Sequence, residues 1–272
     1  MRNLAVFLAL AFIFYLIGYV IVRGYQSLSQ YNILKISYVV GFLLLFLILV
    51  ASFIFVDNLP IKVSSPLSFI SYTFLLVFIY LGILFFIVDF FRIINFFFFH
   101  FSPSIIQSFR LWSMIAGVVI IAIALVIGNY NFNRPKVTTI NVESNKPLKN
   151  KEIKIVAASD IHLGSYINSQ KLKKYVSLIN AQHPDIVLFV GDIADRNITS
   201  LIKQKMDKEF LKINAPMGVF GVSGNHEYYA HDRYENYRYY EKCGIQMLID
   251  KSVMIDSSFY IVGRDDQMNR ER

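Results

Sequence analysis

The sequence predicts four transmembrane α-helices followed by an α/β domain that contains a parallel sheet. Residues 1–133 contain only eight Lys, Arg, Asp or Glu side chains, although the whole chain has 27 basic and 19 acidic residues. Beyond residue 152, short runs of β-branched residues alternate with segments whose apolar residues follow helical spacing. A membrane region over 1–133, a linker over 134–151 and a water-soluble domain over 152–272 account for this division.

Four apolar runs in the first region each exceed the length of about 17 residues that a membrane-spanning helix needs. They cover 4–22, 36–56, 67–88 and 111–127. The first run is long and no small-residue cleavage site follows it, so we interpret it as a retained helix rather than a signal peptide. We therefore expect a multi-pass integral membrane protein, in contact with membrane lipids. Basic residues near the two predicted membrane faces are equal in number, so the side that the soluble domain faces stays open.

A transporter is an alternative function for the four spans, because an ionisable group inside a span often marks a path for an ion or substrate. Asp89 is the candidate, but it stands at the end of the third run, three residues before Arg92. A helical ion pair at the membrane boundary would satisfy both side chains. Span-breaking Gly/Pro pairs, which are typical of transporter sites, are missing from the sequence. We interpret the four helices as an anchor.

Charge and cysteine content exclude several classes of function for the soluble region. The net charge is +8, yet no block of like charge or Arg-rich strip is present, so no nucleic-acid partner is expected. Cys243 is the single cysteine, which excludes an internal disulfide and any cluster of thiolate metal ligands.

The soluble region has the pattern of an α/β sheet. Strands are predicted at 153–158, 186–190 and 219–222, with helices at 169–181, 199–211 and 233–242 and short strands at 246–249, 253–255 and 259–262. Strands that alternate with helices imply parallel pairing with right-handed crossovers. In such sheets, ligands bind beyond the carboxyl ends of the strands.

Polar clusters follow the first three predicted strands at these ends. Their members are Asp160 and His162, then Gly191 and Asp192, and finally Gly224, Asn225, His226 and Glu227. An oxygen and a nitrogen ligand two residues apart in an extended segment chelate a divalent metal readily. The two glycines allow close backbone approach before Asp192 and Asn225, and His226 is either a ligand or a proton donor. The sequence therefore predicts a metal site.

The order and flanks of these clusters resemble those of the calcineurin-like metallophosphoesterases, in particular the bacterial branch with membrane-anchored members. The resemblance is carried by segments 158–164, 190–193, 224–227 and 262–266 and extends over about 152–267. It implies a two-sheet sandwich flanked by helices, with a centre of two divalent ions. It also implies that Asp160 and His162 bind the first ion, that Asp192 bridges both, that Asn225 binds the second, and that His226 protonates the leaving oxygen.

The activity implied by this resemblance is the hydrolysis of phosphoester or pyrophosphate bonds. Two divalent ions, of Mn, Fe, Zn or Mg, are the expected cofactors, and a phosphorylated molecule, lipid-linked or soluble, is the expected substrate. Glu227 belongs to the motif and is expected to support His226. No P-loop sequence is present, which argues against ATP-driven transfer. The oligomeric state is left open.

The chain departs from the family pattern after 262–266. Members of the family continue with a second half of the sandwich, in which a lone histidine and a Gly-His-x-His motif supply three further metal ligands. Neither His183 nor His231 stands in a position to replace them. We therefore expect the N-terminal portion of the domain only, with a catalytic half-site. The alternative hypothesis is a truncated, non-catalytic membrane protein, or one that completes its site through a partner.

Overall fold

The computed structural model describes residues 2–146, 149, 152–195, 197–230 and 232–267. His231 and part of the predicted linker lie outside the described residues. Contacts between Cα atoms divide the chain into two compact units. The first contains 1–54 and 67–139, and the second contains 55–66 and 140–272.

The first unit is built from long apolar helices. They are α1 (Arg2–Ser27), α2 (Asn32–Phe55), α3 (Ile61–Ile94) and α4 (Pro103–Phe132). Within the described residues, three segments are long and apolar enough to cross a membrane: Asn32–Asn58, Ile61–Phe99 and Pro103–Phe132. Each exceeds the length of about 20 residues that crosses a hydrocarbon core. Three candidate membrane helices therefore precede the α/β region, and α1 remains a predicted fourth.

The helices of the first unit pack through aromatic and aliphatic side chains. The rings of Phe42 and Phe74 meet edge to face, with 5.2 Å between their centroids, and Val20 is fully buried beside them. Tyr38 Oη donates a hydrogen bond to the Val20 carbonyl oxygen over 2.9 Å, which joins α2 to α1. Many large apolar side chains point outward, and Trp112 is 67% exposed. An apolar exterior on helices with internally satisfied backbones suits a lipid environment.

The described part of the second unit has a parallel sheet of four strands in the order β1-β2-β3-β4. The strands are β1 (Ile155–Ala158), β2 (Ile186–Val190), β3 (Val219–Val222) and β4 (Gln246–Met247). An antiparallel hairpin of β5 (Lys251–Ile255) and β6 (Phe259–Gly263) follows. The helices are α5 (Ser169–Asn180), α6 (Thr199–Lys203), α7 (Asp207–Phe210), α8 (Asn225–Tyr229) and α9 (Arg233–Lys242).

Alternating side chains of β2 bury both faces of this sheet. Val187 and Phe189 belong to a core formed with α5, α7 and α9, whereas Ile186 packs on the other face with Ile255 of the hairpin. Successive side chains of a strand point to opposite faces, so a strand covered on both sides is apolar throughout. The register aligns Ala158 with Phe189 and Val190 with Val222. As a result, the carboxyl ends of β1, β2 and β3 lie at one edge.

One local feature differs from the predicted elements. The single helix predicted at 199–211 is divided into α6 and α7, because Lys205 adopts a left-handed conformation with φ of 53°. The turn places Met206 in the core, where it is fully buried. At the start of α5, Asn168 is the N-cap, with its Oδ1 accepting from the backbone N–H groups of Gln170 at 3.1 Å and Lys171 at 3.3 Å.

The N-cap gives a testable prediction for α5. Replacing Asn168 by Ala removes the side-chain acceptor that serves two N–H groups of the first turn and should lower the stability of this helix by about 1 kcal/mol. Hydrogen exchange at the amides of Gln170 and Lys171 should accelerate accordingly. Ser169→Ala is the matched control and should change stability by less than about 0.5 kcal/mol. An equal effect of the two substitutions would contradict the cap assignment.

Candidate metal centre

The predicted ligands stand on left-handed turns at the carboxyl ends of β1 and β2. Asp160, His162 and Asp192 have φ angles of 53°, 49° and 51°. Non-glycine residues avoid this region, with Asp, Asn and His tolerating it best, and such strain persists only where the surrounding structure enforces it. The conformation turns the side chains out of the sheet and toward the space beyond the strand ends.

Backbone hydrogen bonds hold these two loops side by side. The His162 N–H donates to the Asp192 carbonyl oxygen over 2.9 Å, and the Leu163 N–H donates to the Ile193 carbonyl oxygen over 2.9 Å. The Asp195 N–H donates back to the Leu163 carbonyl oxygen, also over 2.9 Å. Parallel pairing therefore continues past the ends of β1 and β2. These hydrogen bonds fix the positions of the loops after β1 and β2 relative to each other.

Two glycines allow the loops after β2 and β3 to touch. A Cβ on Gly191 would lie 3.0 Å from the Cα of Gly224, and Gly191 has φ of 79°. A Cβ on Gly224 would lie 2.2 Å from Asp192 Oδ1. Any side chain at either position would push the loops apart. These glycines bring the segment that carries Asn225 and His226 against Asp192.

Asp160, His162 and Asp192 form a compact group of donor atoms. One ligand atom from each lies within 4.8 Å of the others. His162 Nε2 is 3.7 Å from Asp192 Oδ2 and 4.0 Å from Asp160 Oδ1. The Asp160 side chain is 69% exposed, so this group opens to solvent on one side. The structure thus brings together three of the four predicted metal ligands.

A second group joins His162 to His226 through Asp195, which is not among the predicted site residues. Asp195 Oδ1 lies 3.8 Å from His162 Nδ1 and 3.5 Å from His226 Nδ1. The carbonyl oxygen of Asp195 also contacts His226 Nδ1. The two imidazole rings meet edge to face, with centroids 4.3 Å apart. The sequence signal that could have indicated Asp195 is its position, three residues after Asp192 in the same loop.

Asn225 and His226 enter the site at the first turn of α8. Asn225 is half-buried and directly follows Gly224, whose backbone abuts Gly191. The His226 N–H donates to Asp192 Oδ1 over 2.9 Å. An acidic side chain at a helix N-terminus is favourable electrostatically, and this bond also orients the Asp192 carboxylate. The metal-binding role of Asn225 remains a prediction.

Glu227 is fully buried, and its carboxylate links the loops that carry the site residues. Oε2 accepts from the backbone N–H groups of Asp192 at 3.0 Å and Gly224 at 2.9 Å. Oε1 accepts from those of Ile193 at 2.9 Å and Ala194 at 3.3 Å. Hydrogen bonds to a carboxylate are stronger than neutral ones, and they supply the partners that a buried charge requires. Glu227 therefore holds the backbone of the Asp192 loop, a role different from the predicted support of His226.

Tyr240 of α9 completes the environment of this carboxylate. Its hydroxyl donates to Glu227 Oε1 over 3.1 Å, and the residue is fully buried. Burial, and then the neighbouring Glu227 charge, raise the pKa of Tyr240 well above its ordinary value. The hydroxyl consequently stays protonated and acts as a donor throughout the physiological pH range.

The segment after β6 is attached to α8 by a short polar contact. The Tyr228 hydroxyl donates to Asp265 Oδ2 over 2.5 Å, and Asp265 is buried. The Asp265 N–H donates to Asp250 Oδ1 over 3.2 Å. Burial and the hydrogen bond from Tyr228 to Asp265 raise the pKa of Tyr228 above its ordinary value. The segment 262–266 that contributed to the family resemblance therefore buttresses the helix that carries His226.

The donor set fits a divalent metal ion. Carboxylate oxygens and imidazole nitrogens are suitable ligands for Mn, Fe and Zn, and carboxylates suit Mg. Among the residues that the structure describes, His162 Nδ1, which lies 3.8 Å from Asp195 Oδ1 in the second group, is one of the buried polar atoms without a hydrogen-bond partner. Two carboxylates that converge on one imidazole without a cation would also repel one another. Asp160, His162 and Asp192 are therefore a group that could hold a metal ion.

The strands and candidate ligands lie in a segment that matches a known protein family. The family model described as Calcineurin-like phosphoesterase matches residues 153–267. Residues 153–267 are a calcineurin-like metallophosphoesterase domain. The family is one of hydrolases that bind divalent metals, in agreement with the donor groups beyond the strand ends.

Curated relatives of this phosphoesterase domain include membrane proteins. An uncharacterized metallophosphoesterase of Aquifex aeolicus is 31% identical over 147 residues, which are 53% of this chain and 55% of that protein. A "Transmembrane protein with metallophosphoesterase domain" of Bos taurus is 29% identical over 144 residues, 52% of this chain and 32% of that protein. YkuE of Bacillus subtilis, an uncharacterized metallophosphoesterase, is 39% identical over 75 residues, 28% of this chain and 26% of that protein.

The chain spans about half the length, or less, of these relatives. No solved structure gives a significant match. Together with the three apolar helices, the transmembrane relatives indicate that the chain is a membrane protein with a phosphoesterase domain.

The Glu227 contacts give a testable prediction for the phosphoesterase domain. Glu227→Gln places an NH₂ group against backbone N–H donors and leaves at least one buried donor unpaired, at a cost of about 1–3 kcal/mol. Thermal unfolding of the domain should shift to lower temperature, and Mn²⁺ affinity should fall because the Asp192 loop loses its support. The exposed Glu241→Gln is the matched control. Wild-type unfolding and metal affinity in Glu227→Gln would show that this carboxylate does not hold the loop.

Proposed function

We propose that this protein is a membrane-anchored, metal-dependent hydrolase of phosphoester or pyrophosphate bonds, which acts through a centre of two divalent ions. The observation that carries the proposal is the convergence of Asp160, His162 and Asp192 beyond the ends of neighbouring parallel strands, within a phosphoesterase domain. His226 and Asp195 stand beside these ligands. The closeness of these carboxylate and imidazole groups supports the proposal of a metal centre beside a proton donor.

The proposed ligand assignment follows the family resemblance. Asp160 and His162 would hold the first ion, Asp192 would bridge both, and Asn225 would hold the second. Two such ions activate a water molecule and stabilise the charge that develops on the attacking and leaving oxygens. Coordination positions that these residues do not fill would be taken by water, by substrate oxygens, or by protein ligands outside the described residues, including those of a partner.

His226 is proposed as the general acid. A proton on Nδ1 that is donated to the Asp195 carbonyl oxygen leaves Nε2 as the nitrogen that exchanges a proton with the substrate. Asp195 Oδ1 lies 3.5 Å from the same nitrogen, His226 Nδ1. His226 would therefore deliver a proton to the leaving oxygen, and Asp195 would orient the ring.

We propose that α1 is a fourth membrane helix, with 26 residues of largely apolar sequence. Four spans would anchor the chain in a bacterial cell membrane and bring the hydrolase close to lipids. A lipid-linked phosphoester or pyrophosphate is therefore a suitable substrate, and soluble phosphomonoesters have the same reacting group. Protease accessibility in oriented membrane vesicles would determine the side that the domain faces.

Asp192→Asn tests the metal centre directly. Asn tolerates the left-handed conformation but removes the charge that the ions require, so Mn²⁺ affinity should fall by at least about 10-fold. Hydrolysis of an aryl phosphate with Mn²⁺ should fall in parallel. Calorimetric titration of Mn²⁺ provides a measurement that does not depend on activity. Asp256→Asn is the matched control, because Asp256 is also left-handed, with φ of 46°, and stands in the hairpin turn. Unchanged Mn²⁺ affinity in Asp192→Asn would refute the assignment.

His226→Gln tests the general acid. Proton delivery matters most for a poor leaving group, so hydrolysis of an alkyl phosphate should fall by about 100-fold or more, whereas hydrolysis of p-nitrophenyl phosphate should fall much less. Mn²⁺ affinity should change little if His226 is not a ligand. A uniform loss on both substrates together with weakened Mn²⁺ binding would instead make His226 a metal ligand.

A further inference from the structure

Three arginines meet where the ends of three helices of the first unit come together. Arg23 lies near the end of α1, Arg92 near the end of α3 and Arg110 near the start of α4. Gln107, one turn before Arg110, joins α4 to α1, because its Nε2 donates to the carbonyl oxygens of Gln26 at 3.1 Å and Ser27 at 3.2 Å. The three guanidinium groups are therefore held at one end of the helix bundle.

One carboxylate, Asp89, faces this cluster. Arg23 Nε is 2.7 Å from Asp89 Oδ2, and Arg92 Nη1 donates to Asp89 Oδ1 over 2.7 Å. The Tyr19 hydroxyl also donates to Asp89 Oδ2, over 3.1 Å. Both carboxylate oxygens are thus engaged by Arg23 and Arg92, whose side chains are 29% and 30% exposed. A single negative charge compensates only one of these guanidinium groups.

Arg110 is the member of the cluster that the Asp89 ion pairs do not explain. It is half-buried and close enough to interact electrostatically with Arg23, Arg92 and Asp89. Within the part of the chain that the structure describes, it has no hydrogen-bond or ion-pair partner. A role limited to joining helices accounts for Arg23 and Arg92, but it leaves Arg110 among like charges at an energetic cost. Three guanidinium groups and one carboxylate leave an excess of two positive charges.

The position of the cluster favours an anion at a membrane boundary. It stands at the ends of α3 and α4, two candidate membrane helices, where headgroups would lie. The exposed aromatic residues of Asn95–Phe99 begin four residues after Arg92, and aromatic side chains are typical of the membrane–water boundary. Uncompensated charge in this partly dehydrated zone is costly, whereas a guanidinium group matches a phosphate group in geometry and charge.

We propose that Arg23, Arg92 and Arg110 bind the phosphate group of an anionic ligand, and that this ligand is the headgroup of a membrane lipid. Basic pockets between membrane helices bind anionic headgroups in this way. The site belongs to the helical unit and is separate from the candidate metal centre. Its occupation would neutralise the excess charge and stabilise the meeting point of α1, α3 and α4.

The test uses the full 272-residue chain in micelles of an uncharged detergent. Phosphatidylglycerol and phosphatidylcholine with identical acyl chains are titrated separately, and bound lipid is measured by native mass spectrometry and by the unfolding temperature. Phosphatidylglycerol should bind selectively and raise the unfolding temperature. Arg110→Gln should weaken phosphatidylglycerol binding about fivefold, as expected for the loss of one interfacial charge. Lys62→Gln, an exposed site near the start of α3, is the matched control and should bind as the wild type does.

Further arms separate the source of the phosphate and the role of the side chain. At the concentrations at which phosphatidylglycerol raises the unfolding temperature of the wild-type chain, inorganic phosphate and glycerol phosphate should not raise it. An equal rise with either of them would overturn the lipid assignment. Arg110→Lys retains the charge and should recover part of the binding lost in Arg110→Gln. Equal binding of the two lipids by the wild type, or unchanged phosphatidylglycerol affinity in Arg110→Gln, would overturn the proposal.

Discussion

The buried carboxylate of Glu227 is the interaction on which the geometry of the candidate metal centre depends. Its two oxygens accept hydrogen bonds from four backbone N–H groups in the loops after β2 and β3, together with the Tyr240 hydroxyl. Loops of this kind have backbone groups that no strand or helix satisfies. One fully buried charge supplies the acceptors that they lack, and the strength of charge-assisted bonds compensates the cost of its burial. The Asp192 loop is consequently fixed before any metal ion binds.

This support makes an unfavourable backbone possible. Asp160, His162 and Asp192 all adopt left-handed conformations that cost free energy when they stand alone. Backbone pairing between the first two loops, and the close approach of Gly191 to Gly224, distribute that cost over a rigid assembly. A ligand set held in position loses little conformational freedom on binding a cation. The strain is therefore tied to the arrangement of donor atoms.

The two units satisfy their charged groups in different ways. In the phosphoesterase domain, Glu227 is surrounded by neutral hydrogen-bond donors. The carboxylates of Asp160 and Asp192 carry negative charge that cations would neutralise. At one end of the helical unit, Asp89 is shared by Arg23 and Arg92, and the excess charge is positive. In each unit, the charge that the described residues leave uncompensated indicates the chemical class of the ligand.

The sequence by itself determined the elements and the order of the chemistry. Apolar run length marked the membrane helices, and short runs of apolar, β-branched residues marked β2 and β3 with their observed bounds. The polar residues after the strands marked the candidate ligands. Tertiary structure alone decided the division of the predicted helix at Lys205, the hydrogen-bond partners of Glu227 and the inclusion of Asp195 in the site. The reason is physical. Apolar periodicity reports a local balance between solvent and core, whereas hydrogen bonds and donor clusters join residues that are distant along the chain and meet only after the strands have paired.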